Sequence, residues 1–123
     1  MDYDPFLSLD TIPLENITEV FSKKTVTGEQ GQIVWASPKA GCHAKPHRHA
    51  AEQIFWIRSG AMKCRVADQV RVCRAGDVLL VKGWIEHEMW VLEDTEFVAV
   101  LAPVREDLRP GAEVPEHLRI KGG

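Results

Sequence analysis

Three of the five histidines have neighbours and spacing suited to metal chemistry: His47 and His49, separated only by Arg48, and the distant His87. Neutral imidazole is a ligand for Zn, Fe, Mn, Ni and Cu, and an oxygen donor often completes such a site. Behind the first pair stands Glu52-Gln53, followed by the apolar run Ile54-Phe55-Trp56-Ile57 and a stop at Ser59-Gly60. Side chains alternate faces along a strand, so His47 and His49 share a face about 6.5–7 Å apart, close enough to converge on one ion. The same alternation puts Ala51 and Gln53 on that face and turns Glu52 away. A bulge at Ala50-Ala51 would exchange the two.

The choice between Glu52 and Gln53 has a chemical consequence. Three imidazoles and an amide form a neutral shell, which leaves a divalent ion its full charge and holds it less tightly than a carboxylate would. A more local set, Cys42, His43, His47 and His49, has zinc-knuckle residue types but lacks paired cysteines. Cys42, Cys64 and Cys73 make an odd count without a C-x-x-C pair, which suits reduced thiols.

The elements that must position these residues read as short strands. Strand character covers residues 20–27, 32–36, the run after Gln53, 61–67, 70–74, 78–81, 87–92 and 96–102, with turn residues between them. The pair 61–67 and 70–74 reads as a hairpin about Asp68-Gln69, which would set Cys64 opposite Cys73 as two small buried thiols. Many short strands without a sustained helical period imply an all-β sandwich or barrel. The divisions expected are an N-terminal arm over 1–19, a barrel over 20–108 and a C-terminal tail over 109–123. A helical turn near Pro115 would carry a solvated His117 in that tail.

A chain of 123 residues, 45% hydrophobic and 27% charged, suits one globular domain. Its net charge of -3 and lack of a basic tract argue against nucleic acid or an anionic membrane as partner. No apolar run approaches the ~20 residues that span a bilayer. The acidic start Met1-Asp2-Tyr3-Asp4-Pro5 lacks the form of a signal peptide, so a cytoplasmic location is expected.

These residues resemble the cupin family, whose first motif is G-x(5)-H-x-H-x(3,4)-E-x(6)-G. Here Gly41, His47, His49, Gln53 and Gly60 fall in register with it. The second motif, G-x(5)-P-x-G-x(2)-H-x(3)-N, is met by Gly76 and His87, with Lys82, Trp84 and Val91 in place of its proline, second glycine and asparagine. The resemblance, over most of residues 25–108, implies a double-stranded β-helix (a cupin jelly-roll barrel), a homodimer, and one divalent transition metal held by His47, His49, Gln53 and His87. Zn, Fe, Mn, Ni and Co all suit that set.

Within the family, His-x-His-x-x-Glu-Gln is similar to small single-domain cupins such as the uronate-linearising enzymes and certain polyketide cyclases. The uronate group has an aspartate and an aromatic residue where this chain has Ala99 and Leu101, and only Arg105 is retained. An enediol-type rearrangement needs a proton acceptor near the reacting oxygen. Ala99 cannot be one, so Glu52 or Glu86 would have to act as a displaced base. Phe55, Met89, Ala99 and Leu101 form an expected apolar pocket below the metal, which suits an aromatic or alkyl ligand. Trp84 would rim its mouth, and Arg105 would hold a substrate carboxylate. The reading is a metal-dependent enzyme acting on a small carbonyl, enol or phenolic compound by isomerisation, cyclisation or dioxygenation. The alternatives are a non-catalytic small-ligand or metal-binding module and an unsaturated-uronate linearising enzyme.

Overall fold

From Gln53 to Ile57 every second side chain is buried and those between are exposed, the period-two signature of a strand with one face on a core. The computed structural model describes residues 2–118. It contains eight strands: β1 (Glu15–Thr18), β2 (Phe21–Thr27), β3 (Gln32–Pro38), β4 (His43–His47), β5 (Glu52–Val66), β6 (Gln69–Arg74), β7 (Val78–Val81) and β8 (His87–Ala102). All pairings are antiparallel, and the fold is an all-β jelly-roll.

The two long strands carry the architecture. The first half of β5 lies between β7 and the second half of β8, which β3 flanks on its other side. The second half of β5 lies between β6 and the first half of β8, flanked in turn by β4. Both strands therefore pass from one sheet to the other around a core that includes Phe55, Ile57, Met62, Val81, Met89 and Val91. The turn signals at Gly60 and Glu93-Asp94-Thr95 mark the bends in these strands rather than their ends. Gly60 has φ +88°, and a Cβ there would lie 2.4 Å from the Asp94 carbonyl oxygen, so only glycine fits.

The β5–β6 turn falls at Ala67-Asp68, one residue earlier than its polar residues suggest. Val66 pairs with Gln69, and Ala67 takes φ +52°. Cys64 consequently faces Arg71 and Cys73 faces Met62. All three cysteines are buried and free. Burial, then the neighbouring Cys73, pushes the Cys64 thiol far up, so it is an inert core group.

At the N-terminus Leu9 and Leu14 line one surface pocket with Trp35, Phe97 and Val98, and Lys24 Nζ donates to the Leu9 carbonyl at 2.7 Å. The buried Lys23 ammonium donates to Glu15 (2.9 Å), Thr25 Oγ1 (2.8 Å) and the Leu108 carbonyl (2.9 Å). All three of its protons are used, which fastens β1 and the segment after β8 to one end of the barrel. Beyond it, the short 3-10 turn Glu116–Leu118 packs on β4.

Candidate metal centre

Strand β4 starts with His43 pointing outward, so plain alternation would also turn His47 outward. A register shift intervenes: Ala44 pairs with Met89 and His47 with His87, three steps on β4 against two on β8. The extra residue is a bulge at Lys45-Pro46, where proline has no N–H to lose from the ladder. The bulge swings His47 inward beside His87. His49 follows in the loop between β4 and β5. Trp84 N–H donates to the His49 carbonyl at 2.8 Å, which ties that loop to the one ahead of His87. Gln53 opens the inward face of β5, with 8% of its surface exposed.

The ring centroids are 4.1 Å apart for His47–His87, 4.9 Å for His49–His87 and 5.6 Å for His47–His49. One ring nitrogen from each of the three lies within 4.8 Å of the others, a group that can hold a metal ion. Each Nδ1 sits on a main-chain carbonyl: Lys45 O for His47 (2.7 Å), Ala51 O for His49 (2.8 Å) and Ile85 O for His87 (2.9 Å). A carbonyl only accepts, so Nδ1 carries the proton and the lone pair is left on Nε2. Among the described residues, the buried side-chain polar atoms without a hydrogen-bond partner are His49 Nε2, His87 Nε2 and Gln53 Oε1. Buried polar atoms are rarely left so, and three electron-pair donors together fit a cation.

Charge agrees with that fit. Burial, followed by the neighbouring His87, lowers the His47 pKa to about 3, and burial followed by Arg105 lowers His49 to about 4. His87 is lowered too, chiefly by burial. All three are neutral near pH 7, the form that ligates a metal.

Beside His47 the barrel holds a partly open cavity of about 80 Å³ whose lining includes Gln53, Phe55, Met89, Ala99 and Arg105. Leu101 is buried in the core but is not part of that lining. A larger outer cleft of about 780 Å³ lies between the His47–Ala51 segment, Trp84 and the C-terminal segment. Arg105 reaches both spaces. Its guanidinium pairs with Asp107 at 3.0 and 2.5 Å, and the Gln32 amide holds its main chain at 2.9 and 2.8 Å.

The remaining candidates lie elsewhere. Glu52 is exposed on the outer face of β5. Glu86 pairs with Arg65 at 2.8 Å. Glu88 pairs with His43 (2.6 Å) and Arg65 (3.4 Å). Alternation in β4 breaks up the zinc-knuckle set, with Cys42 in the core and His43 stacked on Trp90 outside.

His117 is not the solvated residue its place in the tail suggests. Its ring stacks on His47, centroids 3.8 Å apart and planes 16° apart, and burial followed by His47 lowers its pKa. Pro115 and the turn after it set this contact, and no local pattern announces it. Gln32 and Asp107, which hold Arg105, were equally silent, because their partners are distant or depend on how the chain turns after β8.

Residues 26–103 match the family model described as Cupin domain. A cupin described as RmlC-like, from Shewanella frigidimarina NCIMB 400, has a TM-score of 0.81 at 18% identity, covering 87% of this chain and 97% of its own. KdgF from Halomonas sp. has a TM-score of 0.79 at 19% identity, covering 87% and 100%. Oxalate decarboxylase from Bacillus subtilis, a protein with Mn(II) centres, has a TM-score of 0.71 at 17% identity, covering 79% of this chain but only 29% of its own length. At these identities the likeness is one of fold. None of the curated proteins matches the chain.

Proposed function

The chain belongs to the cupin family, and on that premise we propose that it is a metal-dependent enzyme acting on a small carbonyl, enol or phenolic compound. His47, His49, His87 and Gln53 would hold one divalent transition metal. The observation that carries this reading is the set of unpartnered buried atoms His49 Nε2, His87 Nε2 and Gln53 Oε1. When bound, such an ion supplies Lewis-acid polarisation of a substrate oxygen. The carbonyls of Lys45, Ala51 and Ile85 fix the imidazole tautomers. Phe55, Met89 and Ala99 keep water from the apolar side. Arg105 can take a substrate carboxylate by sharing its fork with Asp107.

The test is metal analysis of protein purified without added metal, followed by Co²⁺ titration read by its visible absorption. Stoichiometric uptake that is lost in His87→Ala is expected. No uptake by the parent chain would sink the reading.

A second reading is a non-catalytic small-ligand module. It is favoured by one observation: the carboxylates near the group, Asp107, Glu113 and Glu116, line the outer cleft and not the 80 Å³ cavity. The unsaturated-uronate linearising reading is weakened on the same ground. Loss of ultraviolet absorbance from an unsaturated uronate would revive it. Absence of turnover by the metal-loaded protein on uronate, enol and phenolic substrates would favour the module.

A homodimer belongs to the same proposal. Ile54, Trp56, Val78, Leu80 and Val100 are exposed, and the strand register sets Leu80–Ile54–Val100 and Val78–Trp56–Val98 in adjacent rows on one outer face. Phe6 and Leu7 of the arm are exposed as well. Contiguous apolar area of this kind marks an interface, and a second copy can cover it with its own matching face.

A further inference from the structure

Leu118 enters the barrel from outside its strands. The turn Glu116–Leu118, closed by the Leu118 N–H to Pro115 carbonyl bond (3.0 Å), lays His117 on the His47 ring and sets the half-buried Leu118 between two partly open cavities. One, about 80 Å³, it shares with Gln53, Phe55 and Met89. The other, about 50 Å³, it shares with Cys42, Met62 and Met89. A barrel core meant to be closed is filled by side chains on its own strands. Here the walls carry the small Ala44 and Ala99, space remains on both sides of Leu118, and the filler comes from a three-residue turn. So short a turn has no stability of its own. Its place is set by its packing on the barrel, including the stack of His117 on a proposed metal ligand.

We propose that the turn Glu116–Leu118 is a displaceable plug, in which Leu118 holds the position of the ligand's apolar group and His117 covers the face of His47. The ligand is then a small amphiphile, with an oxygen donor at one end and an aromatic or short alkyl group at the other. Size supports an aromatic ring. Leu118 lines both cavities, so its departure adds its own volume to their roughly 80 and 50 Å³, and a cavity of about 150 Å³ accepts benzene. Only the oxygen-donor end rests on the metal reading above.

The test uses the full chain labelled at its methionine methyl groups, without metal and in the presence of chelator, titrated with benzyl alcohol. Met62 and Met89 line the chamber. Leu118→Ala is expected to bind at least about tenfold more tightly than the parent chain, with shifts at Met62 and Met89. Iodoacetamide labelling gives a second measurement. Cys42, on the same cavity, should react about tenfold faster in both Leu118→Ala and His117→Ala, while Cys64 and Cys73 keep their rates.

Binding no tighter than in the parent chain, or equal acceleration at all three thiols, overturns the proposal. Collapse of methionine dispersion in Leu118→Ala does so too, because a plug leaves without unfolding the barrel. Chelator makes the outcome independent of the Co²⁺ test, so the two readings fail separately.

Discussion

The main-chain N–H of Trp84 donates to the carbonyl of His49 at 2.8 Å. That single bond joins the loop that presents His49 to the loop that leads into His87. Trp84 adopts φ +65°, the left-handed region that favours glycine. This is the position where the second cupin motif has its glycine, so the turn is kept although the residue is not. Its neighbour Gly83 lies so close to the other loop that a Cβ would stand 2.7 Å from the Ala50 carbonyl oxygen.

Gly83→Ala therefore has to push the His49 loop away, because the atom it meets is main chain and cannot rotate aside. A loss of about 1–3 kcal/mol in urea unfolding is expected, together with weaker Co²⁺ binding. Trp84→Gly relieves left-handed strain and loses some unfolded-state restriction, two effects of similar size. Its stability should stay within about 1 kcal/mol of the parent chain. Gly83→Ala with parental stability and metal affinity would show that the loops are not coupled.

Gln53→Glu places a carboxylate where Oε1 now has no partner. With metal bound, the added charge should tighten Co²⁺ binding tenfold or more, about 1.4 kcal/mol, measured by chelator competition. Without metal, a buried unpaired carboxylate should lower stability by about 1–3 kcal/mol. Unchanged affinity would remove Gln53 from the ligand set.

Strand alternation was legible because it is a local property. The burial of Gln53, Phe55 and Ile57 against the exposure of Glu52, Ile54 and Trp56 is written in the order of the residues, and it turns Gln53 rather than Glu52 towards the barrel interior. The inward turn of His47 was reached by a different route from the one expected. His49 lies outside the strand, and the bulge at Lys45-Pro46 does what unbroken alternation from His47 to Gln53 was expected to do. Bulges, the left-handed Ala67 turn and the return of His117 and Leu118 to the barrel depend on distant partners, so no window of neighbouring residues reveals them.

Trp56 is half exposed, at 50%, with Arg58 over its ring at 5.5 Å, in the middle of the apolar face of β7, β5 and β8. If a second copy covers this face, Trp56→Glu buries two like charges near the symmetry axis. Sedimentation should then show a dimer for the parent chain and a monomer for the variant, with circular dichroism unchanged. A monomeric parent chain at tens of micromolar would end the dimer proposal.

The stability of the metal-free protein should fall as pH falls below the ordinary histidine value. In the unfolded chain His47 and His49 take up protons near pH 6.5, whereas in the folded barrel they resist until about 3 and about 4. His87 is held down in the same direction. Between these limits the unfolded state binds more protons, so the free energy of unfolding decreases with falling pH, by up to about 1.4 kcal/mol per pH unit for each histidine. Urea midpoints in chelator from pH 8 to pH 4 measure this directly. His49→Gln, which cannot take up the proton, should flatten the slope by one group's share. Metal binding opposes protonation of the same nitrogens, so saturating Co²⁺ should raise the midpoint at pH 7.5 and lose that advantage towards pH 5. A metal-free profile that is flat from pH 7 to pH 5 would mean that the imidazoles are not buried as neutral groups, and the donor set inferred from their Nε2 atoms would fall with it.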